Sequence, residues 1–248
     1  MDTPRIEKVV IMIPTYNEEL VIAETIKLIF EETHQIHHRY VTHILIFDSA
    51  SLDQTQSVVK DLQLKYTHLH LQTEAQKTGL GSAYHQAMHY ALHHLDADIL
   101  VEFDADLSHQ PKYLIPMLEK IKEQDVVVGS RYIPGGSLPE NWGLHRRLLS
   151  KMGNLLIKSV LKVPYQDLTS GFRMIRREAL LKVIPQAFIS SCFAYKIELY
   201  WRLFQEGMRI QEHPIEFIDR TKGSSKLPKG SIMDSLRVLY HLSSKESS

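Results

Sequence analysis

Short apolar runs that stop abruptly at polar residues recur along the first half of the chain. They lie at Val9–Ile13, Ile44–Phe47, Ile99–Phe103 and Val126–Val128, and a shorter run with alternating character lies at Leu69–Gln72. Runs of three to five residues rich in Val and Ile are typical of strands that are buried on both faces. Segments with helical apolar spacing separate them, so strand and helix alternate. This order predicts an α/β fold, a Rossmann-like and mostly parallel sheet with helices on both faces.

The segments between the runs are predicted to form helices. These are Glu18–Phe30, a helix through Val58, Val59 and Leu62, a helix from Gly79–Ser82 to about His94, and Tyr113–Lys122. The run Leu69–Gln72 alternates polar and apolar residues, as expected of a strand nearer the sheet edge. Lys77 precedes Gly79 and Gly81, so it is placed to cap phosphates at a helix N-terminus. The third glycine of a dinucleotide fingerprint is absent there.

After Tyr132 the alternation of strands and helices is interrupted, because Ile133–Pro139 is too rich in Pro and Gly to form a helix or a strand. A helix is then predicted over Arg146–Val163. Its apolar side carries Leu148, Met152, Leu155, Leu156 and Val160, and another side carries Arg147, Lys151, Lys158 and Lys162. Two interpretations of this pattern stay open. The helix lies on an anionic membrane surface, or it is a core helix with a solvated basic face.

The last third predicts helices over Arg177–Ile184 and Tyr195–Glu206 and a strand over Ile210–Ile218. A short amphipathic helix around Leu236 follows, before a polar, Ser-rich end that is expected to fray. The chain shows no internal repeat and no convincing linker. We therefore predict a single domain over residues 1–248, with halves at 1–130 and 131–230 and a short helix and tail at 231–248.

Composition excludes several classes of function. The 248 residues carry a formal net charge of zero, so there is no global electrostatic case for binding nucleic acid. The single cysteine, Cys192, rules out an intrachain disulfide and suits a reducing compartment. The first residues lack a signal-peptide pattern, and no apolar run approaches 18 residues. We therefore expect a cytoplasmic protein that meets a membrane, if at all, from its surface.

Polar residues follow three of the predicted strands at the point where each ends. They are Pro14–Glu19, Asp48–Asp53, and the pair Asp104 and Asp106. Ligands bind outside the carboxyl ends of parallel strands, so these residues are expected to face one crevice. Two carboxylates suit a hard cation such as Mg²⁺ or Mn²⁺, which in turn suits a diphosphate. Taken one by one, some of these polar residues are equally well explained as helix caps and turn residues.

Six separated motifs occur in order along nearly the whole chain. They are Ile13–Glu18, Lys77–Tyr84, Asp104–Pro111, Gly129–Tyr132, Asp167–Arg173 and Asp219–Lys226. Together they resemble the inverting glycosyltransferases of family two, and within that family the enzymes that mannosylate dolichyl or polyprenyl phosphate. The resemblance implies a GT-A fold whose first half binds the nucleotide sugar and whose second half completes the acceptor side.

The resemblance also implies roles for single residues. Pro14, Tyr16, Glu18 and Asp48 match positions that line the nucleotide, Asp104 and Asp106 match metal-binding acids, and Ser108 stands where some relatives have a third metal ligand. Arg131, Arg220 and Lys226 match basic positions of the second half. Ser49 and Ala50 depart from the acid and glycine of the family's Asp-Asp-Gly-Ser, which leaves the base of the nucleotide open.

The chemistry of the acceptor supports these roles independently. Arginine binds phosphate oxygens bidentately, and Arg131, Arg146 or Arg147, Arg220 and the point charge of Lys226 are the candidates. A phosphate monoester has a second pKa of about 6, so it attacks without a general base. The expected reaction is in-line transfer, with inversion, of a hexosyl group to a polyprenyl or dolichyl monophosphate. GDP-mannose is the expected donor.

Alternatives remain at this point. One is a family-two enzyme that uses UDP-glucose or a saccharide hydroxyl, which would need a general base. Another is a nucleotide-sugar-binding protein with weakened catalysis, suggested by Ser49 and Ala50. For the lipid substrate we expect peripheral contact with the cytoplasmic face of a membrane, either directly or through a membrane-anchored partner. His85, His89 and His93 share one predicted helix face, which we interpret as solvated and not as a zinc site.

Overall fold

The computed structural model describes residues 5–219 and 230–245. Its sheet has seven strands in the order β3-β2-β1-β4-β6-β5-β7. The strands are β1 (Glu7–Thr15), β2 (Tyr40–Asp48), β3 (Leu69–Thr73), β4 (Ile99–Glu102), β5 (Val126–Ser130), β6 (Arg173–Arg176) and β7 (Ile210–Pro214). The helices are α1 (Ile22–Thr33), α2 (Thr55–Gln63), α3 (Leu80–His93), α4 (Leu114–Ile121), α5 (Leu144–Leu161), α6 (Arg177–Val183), α7 (Tyr195–Gln205) and α8 (Ser231–Lys245).

The pairing of the strands confirms the mostly parallel sheet. β1 pairs in parallel with β2 and β4, β2 with β3, and β5 with β7. β3 lies at an edge, as its alternating sequence predicts. The exception is β6, which runs antiparallel between β4 and β5. The segment before β6 therefore reaches the same edge of the sheet as the segments that follow the parallel strands.

The strands bury side chains on both faces, which explains their continuous apolar sequences. Along β1, Val10 and Met12 join a core with α3, α5, α6, α7 and α8, whereas Val9, Ile11 and Ile13 join a second core with α1, α2 and α4. Successive residues of a strand point to opposite faces, so one apolar run serves both layers. The two cores fix the edge of the sheet at which the polar strand ends meet.

Several predicted bounds differ from the structure. Residues 18–21 form a turn in which the amide groups of Val21 and Ile22 donate to the carbonyl of Glu18, so α1 begins at Ile22. β7 ends at Pro214, and beyond it only an isolated bridge joins Ser137 to Glu216. α5 ends where Lys162 turns left-handed, at φ 49°. These shifts are local, but the strand β6 is an addition to the predicted order of elements.

The structure shows which face of α5 meets the core. Its core-facing residues are Asn154, Ile157 and Leu161. The predicted apolar side is instead exposed, with Leu148 59% and Leu155 62% accessible, so the core-helix interpretation is wrong for that side. α8 packs against α5 and also exposes apolar side chains, among them Ile232 at 78%. No helix within the described residues is long and apolar enough to cross a membrane.

Candidate active site

A cleft of about 670 Å³ opens at the carboxyl ends of the strands. One wall comes from the ends of β1, β2 and β4, and we call it the strand-end wall. The other wall comes from α5, α7 and α8, and we call it the helical wall. Its lining residues include Leu149, Leu156, Ile197, Ile232, Leu236 and Leu239. The cleft therefore joins a polar surface to an apolar one.

The segment after β4 folds back on itself and presents Asp104 and Asp106 to the cleft. The amide of Ser108 donates to Oδ1 of Asp106 at 3.1 Å, and Leu107 between them is left-handed at φ 60°. The amide of Asp104 donates to Nδ1 of His109 at 3.1 Å. The buried His109 thus closes a tight turn that holds both carboxylates at the mouth of the strand.

His109 supports Asp104 as a neutral imidazole. Burial lowers the pKa of His109, and this outweighs the opposite effect of the nearby Asp104 carboxylate. Because Nδ1 accepts a hydrogen bond, the ring proton lies on Nε2, which is 3.4 Å from a carboxylate oxygen of Asp104. The ring also stacks on Phe172, with centroids 5.1 Å apart. Sequence reasoning missed this role, for which the only signal is a histidine five residues after the first acid.

The arrangement fits a divalent cation that shares its coordination with a bound diphosphate. Asp104 and Asp106 both line the cleft and offer the hard oxygen ligands that Mg²⁺ and Mn²⁺ take. Within the described residues, no group of three or more His, Cys, Asp or Glu is placed to hold a metal by itself. Ser108 also lines the cleft, with its amide committed to Asp106. Such a site needs phosphate oxygens to complete it, as Mg²⁺ sites commonly do.

The residues predicted to meet the nucleotide come together in the strand-end wall, with one exception. Pro14, Tyr16, Glu18 and Lys77 all line the cleft, and the ammonium of Lys77 lies 3.5 Å from the centroid of the Tyr16 ring. A cation over an aromatic face is attracted by the ring quadrupole. Lys77 stands just before Gly79, whose φ of 115° opens the turn into α3.

Asp48 is the exception, and the expectation that its side chain contacts the nucleotide is corrected here. It is fully buried, and its carboxylate accepts hydrogen bonds from Thr15, Ser51 and Gln56. The neighbouring Ser49 lines the cleft instead. Ala50, which stands where the family has glycine, adopts the left-handed region at φ 56°. Asp48 therefore shapes the loop after β2 instead of facing a ligand.

Arg131 lies in the cleft but is already engaged. Its Nε and Nη2 atoms donate to the two carboxylate oxygens of Asp167, each at 2.8 Å, and Nη2 also reaches Thr169. Burial opposes charge on Asp167, but the Arg131 guanidinium outweighs it and holds the pKa of Asp167 below its ordinary value. Two of the atoms predicted to fork onto phosphate therefore hold Asp167. Any ligand contact must come from the rest of the guanidinium.

A second buried ion pair fixes the floor of the cleft. Glu102 at the end of β4 and Arg173 at the start of β6 are both fully buried and face each other in register. The hydroxyl of Tyr195 donates to Glu102 at 2.7 Å, and Arg173 donates to the backbone carbonyl of Lys196 at 3.3 Å. This network ties the start of α7 to the centre of the sheet. Sequence reasoning placed Arg173 in a motif but did not find its partners.

Comparison with known proteins agrees with this geometry. Residues 10–184 match the model of the glycosyl transferase family 2. The chain belongs to this family. It is 35% identical to polyprenol monophosphomannose synthase of Mycolicibacterium smegmatis, over 93% of this chain and 84% of that protein. It is 32% identical to undecaprenyl-phosphate mannosyltransferase of Micrococcus luteus, over 91% of this chain and 89% of that one.

Solved structures confirm the GT-A fold expected of this glycosyltransferase. Glucosyl-3-phosphoglycerate synthase from Mycobacterium tuberculosis, solved with uridine diphosphate, superposes with a TM-score of 0.63 at 16% identity. The match covers 96% of this chain and 80% of that one. Another structure of the same enzyme holds Mn²⁺, UDP-glucose and phosphoglyceric acid, with the same TM-score and identity, and covers 96% and 79%. At this identity the likeness concerns the fold alone.

The remaining basic residues predicted for this glycosyltransferase divide into three groups. Arg146 lines the cleft, with its guanidinium 3.7 Å from the centroid of the Trp142 ring and 3.6 Å from Asp219. Arg147 instead donates to the carbonyl of Pro139 at 2.7 Å and is not part of the cleft lining, so its predicted phosphate contact is corrected. Arg220 and Lys226 lie outside the described residues.

Proposed function

We propose that this glycosyltransferase transfers a mannosyl group from GDP-mannose to a polyprenyl or dolichyl monophosphate, with inversion at the anomeric carbon. The observation that carries the proposal is the composition of the cleft. A carboxylate pair at the end of β4 shares one cavity with an apolar wall from α5 and α8. Such a cavity suits two substrates at once, a sugar diphosphate and an amphiphile whose anionic head adjoins a long apolar chain.

The donor half of the reaction follows from the strand-end wall. Asp104 and Asp106 would hold Mg²⁺ or Mn²⁺, which when bound supplies Lewis acidity toward the departing diphosphate. His109 keeps Asp104 oriented, and the turn closed by Ser108 keeps Asp106 in place. Tyr16 and Lys77 lie further along the same wall, where the nucleotide is expected. These residues bind and orient the donor, and none of them forms a covalent bond to it.

The acceptor half needs position more than proton transfer. A phosphate monoester is largely dianionic at neutral pH, since its second pKa is about 6. One of its oxygens attacks the anomeric carbon from the side opposite the diphosphate. A new C–O bond forms as the bond to the diphosphate breaks, and the leaving group departs with the electron pair. The products are a lipid-linked mannosyl phosphate and GDP.

The names of the curated relatives support this choice of substrates. Both relatives are named as enzymes that mannosylate a polyprenol or undecaprenyl phosphate, and each matches along most of its length. The sugar and nucleotide of the donor rest on the resemblance. Ser49 in the cleft and the left-handed Ala50 mark the place where this chain differs from its family. UDP-glucose is therefore the second donor to test.

The exposed apolar residues of α5 and α8 support peripheral contact with a membrane. Those of α5 include Leu144, Leu148, Leu149 and Met152, and those of α8 include Ile232 and Met233. Contiguous exposed apolar residues mark interaction surfaces in soluble folds. Lys151 and Lys158 on the same helix suit anionic headgroups. We place this contact on the cytoplasmic face, with a membrane-anchored partner as the alternative means of attachment.

Transfer of radiolabel to a short polyprenyl phosphate tests the proposal directly. GDP-mannose and UDP-glucose would be compared as donors, each with Mn²⁺ and with EDTA. We expect a lipid product from GDP-mannose that EDTA abolishes. Product from UDP-glucose alone would change the assigned donor. Tight donor binding without turnover toward any phosphate acceptor would favour a nucleotide-sugar-binding protein with weakened catalysis.

Cosedimentation with vesicles tests the membrane surface. The full chain and a chain truncated before Ser231 would each be mixed with vesicles of neutral and of anionic lipid. We expect the full chain to sediment with anionic vesicles and the truncated chain to bind less. If neither form binds vesicles of either kind, the alternative of a membrane-anchored partner is favoured.

A further inference from the structure

A buried lysine of α7 lies at the floor of the cleft. The side chain of Lys196 is among the cleft lining, although the residue is only 7% exposed. Within residues 5–219 and 230–245, its ammonium makes no hydrogen bond and no ion pair, and it lies 5.8 Å from the centroid of the Phe193 ring. Lysine is rarely buried so deeply without a partner.

Gly171 makes room for this ammonium. A Cβ built on Gly171 would lie 2.1 Å from Nζ of Lys196 and 3.4 Å from Cε1 of His109. Any other residue at this position would therefore displace the ammonium. The same geometry places Nζ beside the ring of His109, which hydrogen-bonds the Asp104 segment. Lys196 is thus adjacent to the residues that hold the carboxylate pair.

The backbone around Lys196 is held by the buried ion pair of Glu102 and Arg173. The backbone carbonyl of Lys196 accepts from Arg173, and the preceding Tyr195 donates to Glu102, so the first turn of α7 is held by the buried ion pair of the sheet. The start of a helix carries partial positive charge, which adds to that of the ammonium. Lys196 lines the cleft, so its ammonium is within reach of a ligand there. The site is therefore suited to an anion that enters the cleft.

The other described cations of the cleft are placed differently. Arg131 is paired with Asp167, Arg146 lies near Asp219, and Lys77 lies over the Tyr16 ring in the strand-end wall. Lys196 belongs to the helical wall, where Ile197 of the same helix and Leu236 and Leu239 of α8 line the cleft. An amphiphile whose chain lies along those apolar residues would have its anionic head near Lys196.

We propose that Lys196 binds the phosphate of the lipid acceptor and so places the attacking oxygen. This inference rests on the proposed function, because it assigns a residue to the acceptor of that reaction. Both substrates carry phosphate, so the β-phosphate of the nucleotide sugar is the other group that Lys196 could bind. The two sources are distinguished by which substrate loses affinity when Lys196 is changed.

Calorimetry with farnesyl phosphate tests binding without requiring turnover, and farnesol serves as the uncharged match. The wild-type chain would be compared with Lys196→Met, which keeps the length of the side chain and removes its charge. We expect farnesyl phosphate to bind about 10- to 100-fold more weakly to the variant, the usual loss for a charged hydrogen-bonding partner. Binding of farnesol and of GDP should be unchanged. The exposed Lys182→Met on α6 is the matched control.

Three outcomes would overturn the assignment. The first is equal affinity of wild type and variant for farnesyl phosphate. The second is a selective loss of GDP affinity, which would assign Lys196 to the donor. The third is weaker binding of farnesol as well as of farnesyl phosphate, because a change confined to the charge should spare the uncharged match. If wild type binds farnesyl phosphate through Lys196 but transfers no sugar to it, the proposed function fails and the binding site stands.

Gly171→Ala gives a second, independent test. Its methyl group would displace the ammonium of Lys196, so this variant should also bind farnesyl phosphate more weakly. In the Gly171→Ala/Lys196→Met double variant the second change should add little, since both remove one interaction. Fully additive losses would show that the two residues act separately and would contradict the proposal that Gly171 makes room for the ammonium of Lys196.

Discussion

The two walls of the cleft are built in opposite ways. In the strand-end wall, polar side chains are tied to one another or to the backbone, as Asp48 is to Thr15, Ser51 and Gln56. In the helical wall, apolar side chains such as Leu149 and Leu156 are left 67% and 48% exposed. In the strand-end wall these bonds orient the side chains before a ligand binds. The helical wall presents a surface that water solvates poorly.

This difference teaches how the two substrates are handled. A charged diphosphate must find its ligands already oriented, because reorganising them during the reaction would raise the barrier. A lipid chain needs no such precision, since the hydrophobic effect is non-directional and proportional to area. Changes in the strand-end wall should therefore affect rate and fold, whereas changes to the apolar residues of the helical wall should affect the dependence on membrane and on acceptor chain length.

The largest effect is expected at Asp106. Asp106→Asn should lower transfer by about 1,000-fold, because a bound metal contributes several kcal/mol and each ~1.4 kcal/mol is tenfold in rate. Radiolabel transfer at saturating GDP-mannose would measure it, with the melting temperature as a control for folding. A variant with normal turnover would show that the carboxylate pair has only a structural role.

The ion pair of Arg131 and Asp167 should matter mainly for the fold. Asp167→Asn leaves Arg131 buried without its counter-charge, so the free energy of unfolding at pH 7 should fall by about 3–5 kcal/mol. Urea unfolding would measure the loss. Adding Arg131→Met should recover part of it, because the uncompensated charge is then gone. Equal stability of wild type and Asp167→Asn would contradict the structural role.

The same pair predicts a dependence of stability on pH. The pKa of Asp167 is lower in the folded chain than its ordinary value of 3.8. The folded state therefore binds fewer protons, and the stabilisation is present above pH 3.8 and is lost as the pH falls through the lowered pKa. Urea unfolding at pH 7 and at pH values below 3.8 should show a smaller loss for Asp167→Asn than for wild type. Parallel losses would assign the acid sensitivity to other groups.

A change at His109 is expected to weaken metal binding. His109→Ala removes the partner of Asp104, and loss of a group that orients a metal ligand typically costs about 10- to 100-fold in metal affinity. Binding of Mn²⁺ in the presence of GDP, followed by electron paramagnetic resonance, would report this directly. Unchanged Mn²⁺ affinity would show that the turn alone orients Asp104.

The helical wall should respond in a different assay. Leu148→Ser with Leu155→Ser removes two exposed apolar side chains from α5, and vesicle binding should fall by about tenfold because each contributes a kcal/mol or so to interfacial partition. Transfer to a short, water-soluble acceptor should be unaffected. Leu52→Ser, at an exposed leucine in the loop before α2 and away from α5 and α8, is the matched control. A similar loss for both would point to general solubility.

The smallest effect concerns Ala50 in the strand-end wall. Its φ of 56° favours glycine, so Ala50→Gly should raise the free energy of unfolding by about 0.5–1 kcal/mol. Urea unfolding would detect this change. Donor affinity should stay within the error of measurement, since the backbone already has the required conformation. A loss of stability would mean that the methyl group makes a packing contact worth more than the backbone strain.

The strand-end wall could be predicted from the sequence to a large extent. Apolar runs identify the strands, and the rule that ligands lie beyond parallel strand ends brings Tyr16, Lys77, Asp104 and Asp106 together. Asp48 could not be assigned in this way. A carboxylate at a strand end has the same sequence pattern whether it faces a ligand or accepts bonds from Thr15 and Gln56. Only the side-chain contacts separate the two cases.

The helical wall was less predictable because its residues act through tertiary contacts. The alternatives for α5 differ in which face meets the sheet, and the apolar spacing of Leu148 and Leu155 is compatible with both. Lys196 carries no sequence signal, since its importance comes from burial and from the absence of a side chain at Gly171. His109 likewise matters because Phe172, distant in the chain, packs on its ring.

The antiparallel direction of β6 has a consequence for how this chain can vary. Arg173 and Met174 point to opposite faces of the sheet, Arg173 toward Glu102 and Met174 into the core with α1 and α4. Deleting one residue between Asp167 and Phe172 would slide β6 by one position and exchange these faces, placing a guanidinium in an apolar layer. An insertion or deletion in this loop would therefore disturb the sheet itself, whereas a substitution such as Gly171→Ala changes a local contact. The register of β6 therefore fixes the length of the loop, and a different acceptor can be accommodated only through the identity of the loop's side chains.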